Sequence, residues 1–243
     1  MFVLFFTFRI FLFLVQWEKR GIPLGGEQMK KITKISMQQN GERYNLFLDE
    51  EFFCGITEDT LVKLKLKKGM EVDEVALEEI IKEENKNKCF NYAVFLLGKR
   101  NYFEKALVDK LIQKEYGEEA IAFTIEKLYS YGYMNEERLT GAFVRDKKRF
   151  SKKGPRYIAS ALKAKGVDAD MIRQALEENY DQDEELENCK SLLWKKLDYY
   201  KRKTQDTYTL KGKLYAFLAQ RGYGSDVTRK AIEAVLAEDA DEY

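Results

Sequence analysis

The densest chemistry in the chain lies between residues 145 and 163. Arg145, Lys147, Lys148, Arg149, Lys152, Lys153, Arg156, Tyr157 and Lys163 form a candidate partner-binding surface, with Phe150 among them. Cations interleaved with aromatic rings suit an acidic protein surface, or a nucleic-acid backbone met by counterion release with bases stacked on the rings. The plainer reading is a solvated junction between helices with the aromatics packed inward. Like charges crowded this closely repel one another unless something offsets them, which is the physical basis of the docking reading. A second basic stretch, Lys195, Lys196, Lys201, Arg202 and Lys203, is interleaved with Trp194, Tyr199 and Tyr200. There the structural reading is favoured, with Trp194 and Leu197 in a core and the lysine stems solvated. Between the two stretches stand Glu177, Glu178, Asp181, Asp183, Glu184, Glu185 and Glu187. They lack the spacing and central glycine of an EF-hand loop, so they are expected to form a solvated linker.

Catalytic apparatus is not recognisable. The 243 residues contain no histidine, which excludes histidine acid–base chemistry and histidine metal ligation. Cys54, Cys89 and Cys189 are far apart in sequence and form no Cys-x-x-Cys pair. Unpaired thiols fit a reducing cytoplasm and argue against a zinc or redox site. No Gly-x-x-x-x-Gly-Lys-Ser/Thr loop appears, and no paired-carboxylate, serine or cysteine constellation has a familiar spacing. No catalytic residue, cofactor or metal is expected.

The elements that position the basic surface are short helices. Pro155 suits the first turn of a helix, where its missing N–H has no intrahelical partner anyway. Ile158 and Leu162 share one face of that helix, and Gly166 stands where a left-handed residue would end it. Asp168 is placed to cap a second helix with an apolar stripe of Met171, Ile172, Ala175 and Leu176.

The same skeleton occurs three times. Leu107 and Leu111 match Ile158 and Leu162, and then Leu214 and Leu218, at offsets of 51 and 56 residues. Fourteen residues after each pair come Ile125, Leu176 and Ile232. Gly166 and Gly222 end the middle helix in two copies, and Tyr116-Gly117 is the corresponding break in the first. A further amphipathic stretch precedes each copy: Tyr92–Leu97, Leu139–Val144 and Ser191–Leu197. Two such helices cannot bury their faces alone, so stacked three-helix repeats are the expected architecture. The repeats are expected over residues 85–134, 135–180 and 185–238, with an acidic frayed tail over 239–243.

The charged fraction of 34% and the presence of only 2 prolines fit long solvated helices, and a net charge of +1 gives no global pull toward nucleic acid. Residues 29–84 read as a small α+β head. Ile32–Met37 and Tyr44–Leu48 are strands joined through Asn40-Gly41, Asp49-Glu50 is a second turn, and Phe52–Ile56 is a third strand. Thr57 is expected to cap a helix that Gly69 ends, and Asp73 to start another through Val75, Leu77, Ile80 and Ile81. Lys82–Lys88 is expected to lead on into the repeats as one helix with them. Met1–Val15 is apolar and Phe-rich, with Arg9 inside it, and fits neither a spanning helix of about 20 residues nor a signal peptide. Gly25-Gly26-Glu27-Gln28-Met29 can be encoded with a ribosome-binding sequence just upstream of an ATG. Residues 1–28 are therefore expected to be a translated leader, with a membrane anchor as the alternative.

With these residues in view the chain resembles the RecX regulatory proteins. The resemblance rests on the threefold spacing and on Leu128-Tyr129-Ser130-Tyr131-Gly132-Tyr133-Met134-Asn135-Glu136-Glu137-Arg138, then Phe143-Val144-Arg145, Arg149, Lys153-Gly154-Pro155 and Leu162–Val167. It covers about Lys30 to Leu236. The fold it implies is mainly α: three tandem three-helix repeats in an elongated curved array, with a small N-terminal β-hairpin and helix head. The function it implies is a cytoplasmic, monomeric binding protein, not an enzyme. Such a protein docks on the RecA–single-stranded DNA filament and lowers RecA recombinase, ATPase and co-protease activity, with no cofactor and no membrane. Reversing charge at Arg145, Lys148, Lys152 and Arg156 is then expected to weaken inhibition. A direct binder of single-stranded or duplex DNA through the basic patches, and a scaffold for another protein partner, are the alternatives.

Overall fold

A computed structural model describes residues 29–39, 43–204 and 206–241. The expected leader and the Asn40-Gly41 turn lie outside the described residues. Those described are mainly helical, with one small antiparallel sheet at the N-terminal end, and they divide into two compact units.

The first unit takes in residues 29–92 and 116–124. Its sheet is built from β1 (Met29–Met37), β2 (Arg43–Leu48), β3 (Glu51–Thr57) and β4 (Glu71–Asp73), in the order β3-β2-β1-β4. Ile32 opposes Leu48 and Ile35 opposes Leu46, with a register shift between Ile32 and Lys34. That bulge is why Ile32 and Ile35, an odd number of residues apart, both reach the same core as Leu46 and Leu48. Asp49 and Glu50 both take left-handed backbones (φ 46° and 72°), the tight hairpin turn whose twist matches the flanking strands.

α1 (Glu58–Lys63) is capped by Thr57, whose hydroxyl accepts from the Thr60 N–H. It stops earlier than expected. Lys65 takes the left-handed residue (φ 52°), its N–H meeting the Val62 carbonyl while Leu66 N–H meets that of Leu61. Gly69 serves a different purpose from the expected helix end. Its N–H donates to the Ile32 carbonyl and Ile32 N–H donates to Met70, which leads the chain into the unexpected strand β4 beside β1. Asp73 Oδ1 accepts from Ala76 N–H at 3.1 Å, at the start of α2 (Glu74–Lys99). Leu77 and Ile81 of this helix complete the core under the sheet. α2 is continuous, so Lys82–Lys88 runs into Tyr92–Leu97 as one helix, as expected.

The second unit takes in residues 93–115, 125–204 and 206–241. The helices after α2 are α3 (Glu104–Gln113), α4 (Glu118–Ser130), α5 (Glu136–Arg149), α6 (Pro155–Ala164), α7 (Ala169–Asn179), α8 (Gln182–Lys201), α9 (Thr207–Gln220) and α10 (Ser225–Asp241), and all but the first half of α4 belong to this unit. Pro155 occupies the first turn of α6, and Asp168 caps α7 by accepting from Asp170 N–H at 2.8 Å. Ile158 and Leu162 are fully buried and share a core with Val144, Val167, Ile172, Ala175 and Phe103. Burial on this scale is worth about 1.5–3 kcal/mol for each large side chain. A second core joins Cys189, Leu193 and Leu197 of α8 to Leu214 and Leu218 of α9 and Ile232 and Val235 of α10.

Four expectations need correction. The left-handed residue after α3 is Glu115 (φ 60°), ahead of the expected break at Tyr116-Gly117. Trp194 is not core: α8 turns Cys189, Leu193 and Leu197 inward at four-residue spacing and leaves Trp194 36% exposed. The acidic linker is largely the start of α8, where Asp183, Glu184 and Glu185 occupy the first turn and favour the positive end of the helix. The C-terminal acidic residues are helical as far as Asp241; Glu238 pairs with Lys190 at 2.7 Å and Asp239 with Lys201.

Candidate functional site

The basic surface is carried by the end of α5, the loop after it and α6. Asn135 starts α5 by accepting from Arg138 N–H at 2.7 Å, and Lys147, Lys148 and Arg149 occupy its last turn. Cations there meet the negative end of the helix, so the crowding costs less than in an arbitrary segment. α3, which has no capping side chain of its own, receives one from α5: Glu136 Oε1 accepts from Glu104 N–H at 3.2 Å. Desolvation raises the Glu136 carboxyl above the ordinary glutamate range.

The structure sorts the expected residues into two sets. Lys148 is turned inward, its Nζ donating to the Asn179 carbonyl at 2.6 Å and to Glu184 Oε2 at 2.7 Å. Lys152 Nζ donates to Ser191 Oγ at 2.6 Å, and Arg145 Nη1 donates to Asn179 Oδ1 at 3.3 Å. Lys147 is half-buried with its Nζ 5.4 Å from the Phe143 ring. The Arg145, Lys148 and Lys152 bonds tie α5 and its loop to α7 and α8. The outward set is Arg149, Arg156 and Lys163, all exposed, with Lys153 Nζ 4.0 Å above the Tyr157 ring. Phe150, expected to pack inward on the plainer reading, is 75% exposed, and Tyr157 is 39% exposed.

The loop between α5 and α6 is held by residues that the sequence does not single out. Tyr180 OH donates to the Lys153 carbonyl, and Tyr223 OH donates to that of Lys152 at 3.0 Å. Burial raises both phenols above the ordinary tyrosine range, so both remain proton donors at neutral pH. Arg221 Nη1 donates to the Ser151 carbonyl at 3.0 Å. Contacts that span seventy residues leave no periodic trace. The only signal in the sequence is that Gly222-Tyr223 repeats Gly166-Val167.

On the second basic stretch, Lys203 Nζ donates to Tyr199 OH at 2.6 Å and lies 4.4 Å from its ring, and Lys196 lies 5.5 Å away. The Lys203 bond and charge lower the Tyr199 phenol below its ordinary range. Among the described residues no group of three acidic or cysteine side chains is placed to hold a metal ion. Among them, too, no helix is long and apolar enough to cross a membrane.

Comparison with known proteins accounts for most of the chain. Residues 30–73 match the regulatory protein RecX N-terminal domain. Residues 89–128, 135–176 and 183–232 match the first, second and third three-helix domains of RecX. Regulatory protein RecX of Clostridium beijerinckii is 36% identical over 216 residues, covering 88% of this chain and 100% of that one. Its counterpart in Bacillus velezensis is 36% identical over 215 residues, covering 88% and 81%. A crystal structure of regulatory protein RecX superposes with a TM-score of 0.62 at 25% identity, over 84% of this chain and 99% of that one. RecX from Lactobacillus salivarius shares the fold, with a TM-score of 0.59. With four consecutive domain matches in order and relatives 36% identical over four fifths or more of their own length, the chain belongs to the RecX family of regulatory proteins.

Proposed function

We propose that this protein is a non-enzymatic regulator that binds the RecA–single-stranded DNA filament and lowers RecA recombinase, ATPase and co-protease activity. It acts as a monomer in the cytoplasm, in recombination, DNA repair and the SOS response. Family membership supports a regulator. The observation that carries the docking reading is the outward set: Arg149, Arg156 and Lys163 are exposed with no ion-pair partner among the described residues, and Arg149 lies 5.5 Å from the ring of exposed Phe150. Exposed cations next to an exposed ring leave charge and apolar area for a partner to satisfy.

The experiment is single-stranded-DNA-dependent ATP hydrolysis by RecA, titrated with the full chain. Inhibition at well below one protein per RecA is expected. Unchanged hydrolysis in the presence of folded protein would remove the reading. Reversing charge at Arg149, Arg156 and Lys163 is a cleaner test than a set containing Lys148 and Lys152, because those two lysines hold internal partners. A second reading, direct binding to single-stranded nucleic acid, is favoured by Tyr199 with Lys196 and Lys203 at its ring. Tight binding to DNA without RecA would support it.

A further inference from the structure

The turns that end α6 and α9 are built alike. Gly166 (φ +87°) and Gly222 (φ +89°) are the left-handed residues, and Val167 and Tyr223 N–H return to the carbonyls of Leu162 and Leu218. Each glycine meets the start of the preceding repeat's middle helix. A Cβ on Gly166 would lie 3.0 Å from Lys105 Cβ, and one on Gly222 would lie 2.3 Å from Tyr157 N. The corresponding residue of the first repeat, which has no helical repeat before it, is not a glycine but Glu115.

The contact at Gly222 is made by backbone on both sides, since a Cβ on Gly154 would lie 2.5 Å from the Gly222 carbonyl carbon. Gly154 N–H donates to the Arg221 carbonyl at 2.8 Å and Arg156 N–H to that of Gly222 at 3.0 Å. Gly154 has no side chain with which to cap α6, and the carbonyls of Arg221 and Gly222, just past the end of α9, satisfy the donors of Gly154 and Arg156 at its start. Lys152 sits at φ 43°, a conformation unfavourable for a lysine, and its carbonyl is held by Tyr223. The clamp therefore closes on the segment that joins Arg149 and Phe150 to Arg156 and Tyr157.

We propose that Arg221, Gly222 and Tyr223 are positioning residues for the basic surface of the second repeat. They hold residues 151–157 in the one conformation that presents Arg149, Phe150, Lys153, Arg156 and Tyr157 together. The clamp stands on geometry alone, while its effect on a partner rests on the RecA reading.

Gly222→Ala tests it, with Gly212→Ala, a helical glycine with open space around it, as the control. Amide hydrogen exchange is read first, in the isolated full chain. Exchange at Gly154 and Arg156 is expected to accelerate at least about tenfold in the Gly222 variant and to stay unchanged in the control. Unchanged protection at both amides would overturn the clamp whatever the partner. RecA inhibition is read second, well below the thermal midpoint of each variant. Gly222→Ala is expected to raise the half-inhibitory concentration about tenfold in the native background, and to have no further effect once Arg149 and Arg156 are alanine. Equal losses in both backgrounds would make Gly222 merely structural and overturn the positioning role. Tyr223→Phe, which deletes one hydroxyl without changing the fold, is expected to show a smaller loss with the same non-additivity. Wild-type protein with no effect on RecA would defeat the functional reading, and the exchange result would still decide the clamp.

Discussion

Lys148 and Arg149 are neighbours in a basic run, yet they have different physical jobs. Lys148 is largely buried and holds a carbonyl and a carboxylate, whereas Arg149 is exposed. Lys148→Ala leaves the Asn179 carbonyl without its charged donor and is expected to cost about 1–2 kcal/mol in urea unfolding, while Arg149→Ala stays within about 0.5 kcal/mol. Two capping aspartates give the pH dependence its sign. Thr209 holds the Asp206 carboxyl below its ordinary range, and the amides of Asp170 and Met171 do the same for Asp168. A depressed folded value means that the caps stabilise above the unfolded value near about 4, and that this contribution is lost as pH falls through the lower folded value. Asp168→Asn with Asp206→Asn accepts the same bonds without a charge. Its denaturation midpoint should fall below wild type at pH 7 and converge with it in strong acid. The thiols are a third residue-scale case: burial pushes Cys189 up to about 12 and Cys54 up to about 11. Native protein at pH 8 should react slowly with a disulfide reagent and rapidly once unfolded.

At the scale of elements, the helical repeats were legible because burial at four-residue spacing is a local property. Leu107, Leu111, Ile158, Leu162, Leu214 and Leu218 are all fully buried, as their shared register requires. Leu162→Ala is expected to cost about 2–5 kcal/mol, while Ile112→Ala, at an exposed position next to buried Leu111, costs little. Chemical denaturation of the two variants checks the contrast. The illegible elements depend on distant chain. β4 is three residues long and exists because β1 offers it an edge. Trp194 looked like core by composition, but the α8 face is set by α9 and α10. Lys65 and Glu115 end helices in the left-handed region without glycine, whereas Gly222 is crowded by the backbone of Tyr157. The candidate site was half legible. A run of cations is visible in sequence, but which of them Glu184, Asn179 and Ser191 occupy is settled only by packing between α5, α7 and α8.

At the scale of the molecule, charge separates the two binding readings. The chain carries 42 basic and 41 acidic residues, so long-range attraction to a polyanion is nearly cancelled and only local cations remain. Three exposed cations neutralising about three single-stranded phosphates would release about two counterions, a slope near −2 in log affinity against log salt. Raising salt from about 50 to 200 mM would then weaken binding to naked single-stranded DNA about sixteenfold. A filament bound through protein surface as well keeps the area contributed by Phe150 and Tyr157, and apolar area is insensitive to this change in salt. Inhibition of RecA is therefore expected to fall less than naked-DNA binding over the same range. Fluorescence anisotropy on labelled DNA, run beside the ATPase titration, measures both. Parallel loss would assign the activity to DNA binding, and persistence of inhibition at the higher salt would assign it to the filament's protein face.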